Sequence, residues 1–139
     1  MSKLIYFPIY GRAAGIKILL AHANVDYTDD AVTFQDFGAR KAAGEFPNGQ
    51  VPCWVQDGQY YNESKAILRF LGAQHGYYPE DIFAAWDCDA TVDFANDFGV
   101  KLYPPHMKNE HSEETKATYA AELTKMIEFF NKKLENSGK

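Results

Sequence analysis

Two hydrophobic rhythms run along this chain, and the change from one to the other divides it in two. Residues 3–7 are apolar on both faces, as a strand in the middle of a sheet would be. Pro8-Ile9-Tyr10-Gly11 breaks that run, and a helical spacing follows at Ala13, Ile16, Leu19, Leu20 and Ala23. Residues 25–33 form a second extended stretch, marked by Tyr27, Ala31 and Val32. Strand, helix and strand at this spacing predict a parallel pair joined by a right-handed crossover. Residues 34–43 read as a short, weak helix or an irregular segment. Two short runs, 53–55 and 59–61, flank Asp57-Gly58, the strongest local hairpin signal. Ala66, Ile67, Phe70 and Leu71 then predict a helix over 64–74, opened by Asn62-Glu63-Ser64 as capping residues. The first unit therefore reads βαβαββα with mixed strand directions.

His75-Gly76 stops that helix, and Tyr77-Tyr78-Pro79-Glu80-Asp81 reads as a linker. Beyond it the rhythm is helical throughout. Residues 82–103 form one long pattern, which Pro104-Pro105 is expected to stop. Ser112-Glu113-Glu114 opens a second helix, acidic in its first turn, with Leu123, Met126, Ile127, Phe130 and Leu134 on one face. Lys132 and Lys133 suit its far end, and Gly138 would follow it. Two helices cannot close a core alone. They must pack on the first unit, on a second subunit or on helices this chain lacks.

Composition narrows the function classes. Hydrophobic residues at 46% and charged residues at 24% predict a packed core. A net charge of -5 without a basic run argues against a nucleic-acid partner. No apolar run approaches a membrane span, and the first residues lack a signal-peptide core. Cys53 and Cys88 make no disulfide framework, so a reducing, cytosolic setting is expected.

The chemistry concentrates in residues 47–64. Val51-Pro52 places a proline where a strand begins, the setting in which a cis peptide is cheap. A turn, a hairpin and a helix head bring backbone N–H groups, a hydroxyl and a carboxylate to one side. That suits an extended small peptide with charged ends, although on these residues alone an ordinary hairpin before a helix is the preferred reading. Tyr6 ends the first strand ahead of the break, where α/β sheets present functional groups, with Arg12 close behind. As a core tyrosine it needs no such role. Asp89, Asp93 and Asp97 form one helical stripe, either a solvated surface or a face met by cations; further ligands at metal-binding spacing are missing. Cys53 reads as a small core residue, and His106 and His111 as loop histidines. Neither G-x-S-x-G nor a P-loop occurs.

Four segments in order resemble one family. Leu4-Ile5-Tyr6-Phe7-Pro8-Ile9-Tyr10-Gly11-Arg12-Ala13 resembles the opening of cytosolic glutathione transferases. Gly49-Gln50-Val51-Pro52, Asp57-Gly58 and the run from Glu63-Ser64 to Leu71 resemble the rest of that family's glutathione-binding half. The likeness is to the tyrosine-type classes, Sigma and Pi above all. It implies a thioredoxin-like domain over 1–76 and part of an all-helical domain over 82–139. Because the family continues into several more helices beyond the position of Lys139, a shortened helical domain and an incomplete electrophile wall are expected.

The resemblance also assigns roles. Tyr6 is similar to the tyrosine that hydrogen-bonds the glutathione sulfur. Val51, ahead of a cis-Pro52, would pair by backbone with the cysteinyl part. Gln50, Glu63 and Ser64 would hold the γ-glutamyl end, and Lys41 would meet the glycyl carboxylate. Arg12 and Phe37 fall at further glutathione-side positions. Asp97 resembles the residue that reaches the γ-glutamyl ammonium of a neighbouring subunit, and Asp89 and Asp93 match positions facing the partner's Arg69 in a homodimer. Glutathione would be co-substrate with no cofactor or metal, and a small hydrophobic electrophile the second substrate. Two residues depart from the pattern: Glu63 replaces the usual Gln, and Phe37 replaces Trp. The implied function is conjugation of glutathione to small electrophiles. The alternatives are a non-catalytic binding or dimerisation module and a glutathione-dependent isomerase or peroxidase.

Overall fold

The computed structural model describes residues 1–107 and 112–136, with only the backbone over 102–107. The chain forms two compact units, Met1–Asp81 and Ile82–Lys139.

In the first unit, β1 (Lys3–Tyr6) leads through a 3-10 turn (Gly11–Ala13) into α1 (Ala14–His22). Then come β2 (Thr28–Ala31), α2 (Phe34–Ala42), β3 (Cys53–Gln56), β4 (Gln59–Tyr61) and α3 (Ser64–Gln74). The sheet order is β2-β1-β3-β4, with β1 parallel to β2 and antiparallel to β3, and β3 antiparallel to β4. This is the βαβαββα order read from the chain's rhythm, and the thioredoxin-like arrangement that the resemblance implied.

The period of two along β1 and β3 divides the core between the faces of the sheet. Leu4, Tyr6 and Trp54 pack with Ile16 and Leu20 of α1 and Ile67 and Leu71 of α3. Ile5, Cys53 and Val55 pack with Val32, Phe46 and the half-buried Phe37 of α2 on the other side. Each fully buried Leu or Ile contributes about 1.5–3 kcal/mol against exposure. Apolar residues on both faces of β1 are therefore what a central strand needs.

Three local expectations change. β2 is polar and mostly exposed, and Ala31, read as an apolar marker, is exposed too. The strand persists because it lies at the sheet edge, where Lys17 reaches Asp29 at 2.7 Å and Arg40 reaches Asp30 at 2.8 Å. α2 is a regular helix rather than an irregular segment, because the Thr33 hydroxyl oxygen accepts the Asp36 N–H at 3.1 Å. At α3 the expected side-chain cap is absent: Glu63 occupies the cap position at φ 65°, ψ 103° and makes no capping bond.

Arg40 ties α2 to the edge strand. Its guanidinium donates to both oxygens of Asp30 (3.0 and 2.8 Å) and both of Glu45 (2.7 and 2.6 Å), while Lys3 lies 3.3 Å from Asp30. The Arg40 bonds hold both carboxyls below their usual range, against a smaller opposing effect of burial. A carboxylate whose pKa is depressed on folding stabilises above its unfolded pKa, and that stability drains away as pH falls through the folded value. Arg40→Met is therefore expected to lower unfolding stability by about 2 kcal/mol at pH 7. The gap should close at strongly acidic pH, once the pH has fallen through both depressed folded values. Urea denaturation at the two pH values measures this, and an equal gap at both would assign the loss to packing alone.

The second unit pairs α4 (Ile82–Met107) with α5 (Glu113–Asn136). Phe94 stacks on Phe129 with ring centroids 4.0 Å apart, Lys101 reaches Glu122 at 2.9 Å, and Lys133 bonds Asp87. Ser112 caps α5, its hydroxyl oxygen accepting the Thr115 N–H at 3.1 Å. The helix α4 does not stop at Pro104-Pro105 but runs through them and through His106. Proline's fixed φ is itself helical, and only two ladder donors are lost within the last turn. Ile127 and Leu134, read as part of an inward face, are 49% and 62% exposed, so pairing with α4 leaves part of that stripe uncovered. The expectations for His111 and Gly138 lie outside the described residues.

Candidate active site

The residues singled out between 47 and 64 converge. A shallow cleft is lined by Gln50, Val51 and Pro52 ahead of β3 and by Glu63 and Ser64 at the head of α3, with Arg12 and Asn48 completing it. The Val51–Pro52 peptide is cis. Gln50, Glu63 and Arg12 are exposed, Val51 and Ser64 half-buried, and Pro52 buried. One helix head, one hydroxyl, one carboxylate and one guanidinium thus meet around a single opening.

Tyr6 joins this cleft through Arg12. Its ring is buried, and its hydroxyl oxygen accepts the Arg12 backbone N–H at 2.9 Å. A phenol with an acceptor site engaged in this way keeps its own O–H to donate elsewhere. Gly11 makes the approach possible. It sits at φ 36°, and a Cβ there would stand 2.6 Å from the Tyr6 hydroxyl oxygen.

Phe37 and Lys41 lie on α2 and reach the same loop from the other side of the sheet. The Phe37 ring packs between Phe7 and Phe46, at 5.3 and 5.5 Å between centroids. The Lys41 ammonium stands 5.8 Å from the centre of that ring, and its Cε would lie 3.0 Å from a Cβ on Gly49. A cation is therefore held beside Gly49 by an aromatic face and a missing side chain.

The remaining residues are elsewhere. Arg69 is half-buried on α3, while Asp89, Asp93 and Asp97 are on α4 in the second unit, with Asp93 and Asp97 exposed. Cys53 is fully buried, and burial, helped by Glu45, pushes its thiol up to about 11. It is a neutral core thiol, not a nucleophile.

Asn48 is the lining residue that the sequence did not single out. Its amide nitrogen donates to Glu63 Oε1 at 2.8 Å, and its amide oxygen accepts the Gln50 N–H at 3.2 Å. The local signal was present, since Asn before a glycine at φ 66° is a turn in which the side chain bonds the backbone two residues on. The bond across to position 63 has no local signal at all.

Chemically, the cleft offers opposite charges to a zwitterionic amino-acid head and, through Tyr6, a hydroxyl donor to an anion nearby. Comparison with known proteins gives the family. Residues 2–73 match the family model described as glutathione S-transferase, N-terminal domain. Glutathione S-transferase 2 of Manduca sexta is 31% identical, across 95% of this chain and 68% of its own length. Glutathione S-transferase P 1 of Xenopus laevis is 34% identical, across 96% of this chain and 63% of its own. The crystal structure of the glutathione S-transferase from Ascaris lumbricoides superposes on all of this chain and 70% of its own, with a TM-score of 0.85 at 26% identity. Across the relatives it matches, the chain spans about half to two thirds of their length. The segments that carry the cleft lie within the matched N-terminal region, and the fold around them is shared, so the chain belongs to the glutathione S-transferase family.

Proposed function

We propose that this chain binds glutathione in the cleft between β3 and the head of α3 and transfers its thiolate to small electrophiles. The observation that carries the reading is the Tyr6 hydroxyl, fixed by the Arg12 N–H beside a cleft that presents both charges of an amino-acid head. Val51 would pair by backbone with the cysteinyl unit. Glu63 would take the γ-glutamyl ammonium, while Ser64, Gln50 and the N–H groups of the helix head take its carboxylate. Lys41, held against Phe37, would meet the glycyl carboxylate.

A free thiol has a pKa of about 8.5, so only a few per cent is thiolate at neutral pH. Lowering it by about two units takes roughly 2.7 kcal/mol of preference for the anion. One hydrogen bond to a charged group contributes about 1.5–3 kcal/mol, so Tyr6 alone supplies most of it. The sulfur then attacks the electrophilic carbon, a C–S bond forms and the leaving group departs with its electron pair. Tyr6 acts by stabilising an anion in place, without taking a proton.

The test is calorimetry with reduced glutathione, followed by conjugation of an aromatic halide. Heat together with turnover supports the enzyme. Heat without turnover would leave a tripeptide-binding module, and no heat would remove both.

The same reading makes the chain a homodimer, with Arg69 of one copy meeting Asp89 and Asp93 of the other and Asp97 reaching the neighbouring cleft. Sedimentation velocity checks this, and a monomer at micromolar concentration would sink it. Both cysteines are free thiols, and no described helix is long and apolar enough to cross a membrane. Both observations fit a cytoplasmic protein; recovery from a secreted fraction would count against that.

A further inference from the structure

The exposed side chain of Glu63 sits on a residue with positive φ at the mouth of the cleft. An exposed carboxylate samples many rotamers, and each one lost on binding costs affinity. Asn48 removes that freedom. Its Nδ2 bonds Glu63 Oε1 at 2.8 Å while its Oδ1 takes the Gln50 N–H at 3.2 Å. The amide has only this orientation open to it. Reversed, it would set an oxygen against the carboxylate and an NH2 group against an N–H. One side chain therefore spans the loop ahead of β3 and the head of α3, fifteen positions apart in sequence. The bond uses Oε1 and leaves Oε2 as the carboxylate's acceptor for a ligand.

We propose that Asn48 is a positioning residue: it fixes Glu63 so that Oε2 receives the free ammonium of the ligand's amino-acid head. The assignment rests on the glutathione reading above and deepens it. It makes this cleft selective for an unblocked, protonated α-amine, because a fixed full negative charge faces that amine where an amide would offer only a dipole. A charge-assisted bond is roughly twice as strong as a neutral one.

Two variants and one analogue test it on the intact chain. Asn48→Ala removes both bonds. Asn48→Asp keeps the acceptor for the Gln50 N–H but turns a carboxylate toward Glu63, so it separates loop structure from positioning. The ligands are reduced glutathione and its analogue with a glutaryl group in place of γ-glutamyl, which lacks the ammonium. Calorimetry should show glutathione affinity falling about five- to tenfold in Asn48→Ala and further in Asn48→Asp. The analogue's affinity should stay within about twofold in both. Thermal melting within about 2 °C of the parent would show that the fold is kept. Glutathione binding unchanged in Asn48→Asp, or an equal loss for both ligands, would overturn the positioning role and leave the glutathione reading intact. No binding of glutathione by the parent protein would overturn both.

Discussion

Tyr6→Phe is expected to lower kcat/KM for conjugation of an aromatic halide by about 10- to 150-fold while leaving the dissociation constant of glutathione within about twofold. The range is the worth of one hydrogen bond to a charged acceptor, about 1.5–3 kcal/mol, expressed as a rate. Phenylalanine keeps the buried ring and its packing on Leu4, Ile16 and Ile67, so the fold should be nearly undisturbed. The Arg12 N–H loses its acceptor, but Arg12 lies at the surface, where water can replace it. The loss should come from the ionisation of the bound thiol, whose apparent pKa should climb back toward about 8.5. Thiolate absorbance of bound glutathione, titrated in both proteins, reads this directly. A halved rate with an unmoved titration curve would remove Tyr6 from the activation of sulfur and leave it a core residue that happens to border the cleft.

The parts of this structure that were legible beforehand are those fixed by neighbours in sequence. A run apolar on both faces had to be a central strand, and β1 is buried on both sides of the sheet. Asp57-Gly58 had to turn, and Asp57 and Gly58 both carry positive φ between β3 and β4. The spacing of Ile67 and Leu71 had to face a core, and both are buried. What was hidden depends on residues far apart. The polar β2 persists through Lys17, Lys3 and Arg40, none of which belongs to it. Asn62-Glu63-Ser64 had the composition of a helix cap, but Glu63 turns to Asn48 instead and holds a backbone conformation that no propensity favours. Local rules failed at the mouth of the cleft, where conflict between local preference and final structure is expected of a binding site. Pro104-Pro105 misled for a different reason. A proline removes a ladder donor and crowds the carbonyl four residues back, yet its fixed φ is helical and α4 runs through both prolines to Met107.

Gly11→Ala should damage the same hydrogen bond from the opposite side, at a position that touches no substrate. The alanine Cβ would lie 2.6 Å from the Tyr6 hydroxyl oxygen, well inside any contact that real side chains make, and the backbone there holds φ 36°. The positive φ alone costs an alanine about 1 kcal/mol. The contact cannot be relieved cheaply, because the tyrosine ring is packed among Ala13, Ile16 and Trp54 and cannot swing away. Something must move by several tenths of an ångström, and what moves is either the hydroxyl or the turn that carries the Arg12 N–H. Either way the phenol leaves the position from which it is proposed to reach the sulfur. A misplacement of about 1 Å costs on the order of a hundredfold in rate, so kcat/KM should fall by about 30- to 100-fold, with a melting temperature lower by several degrees. The decisive measurement is the double variant Gly11→Ala with Tyr6→Phe. Without the hydroxyl, the nearest ring atoms stand at 3.4 Å, a contact the turn can absorb. The alanine should then cost little further activity and only the part of the stability owed to φ. If the two losses instead multiply in rate and add in stability, Gly11 and the Tyr6 hydroxyl act independently, and the turn does not position the phenol.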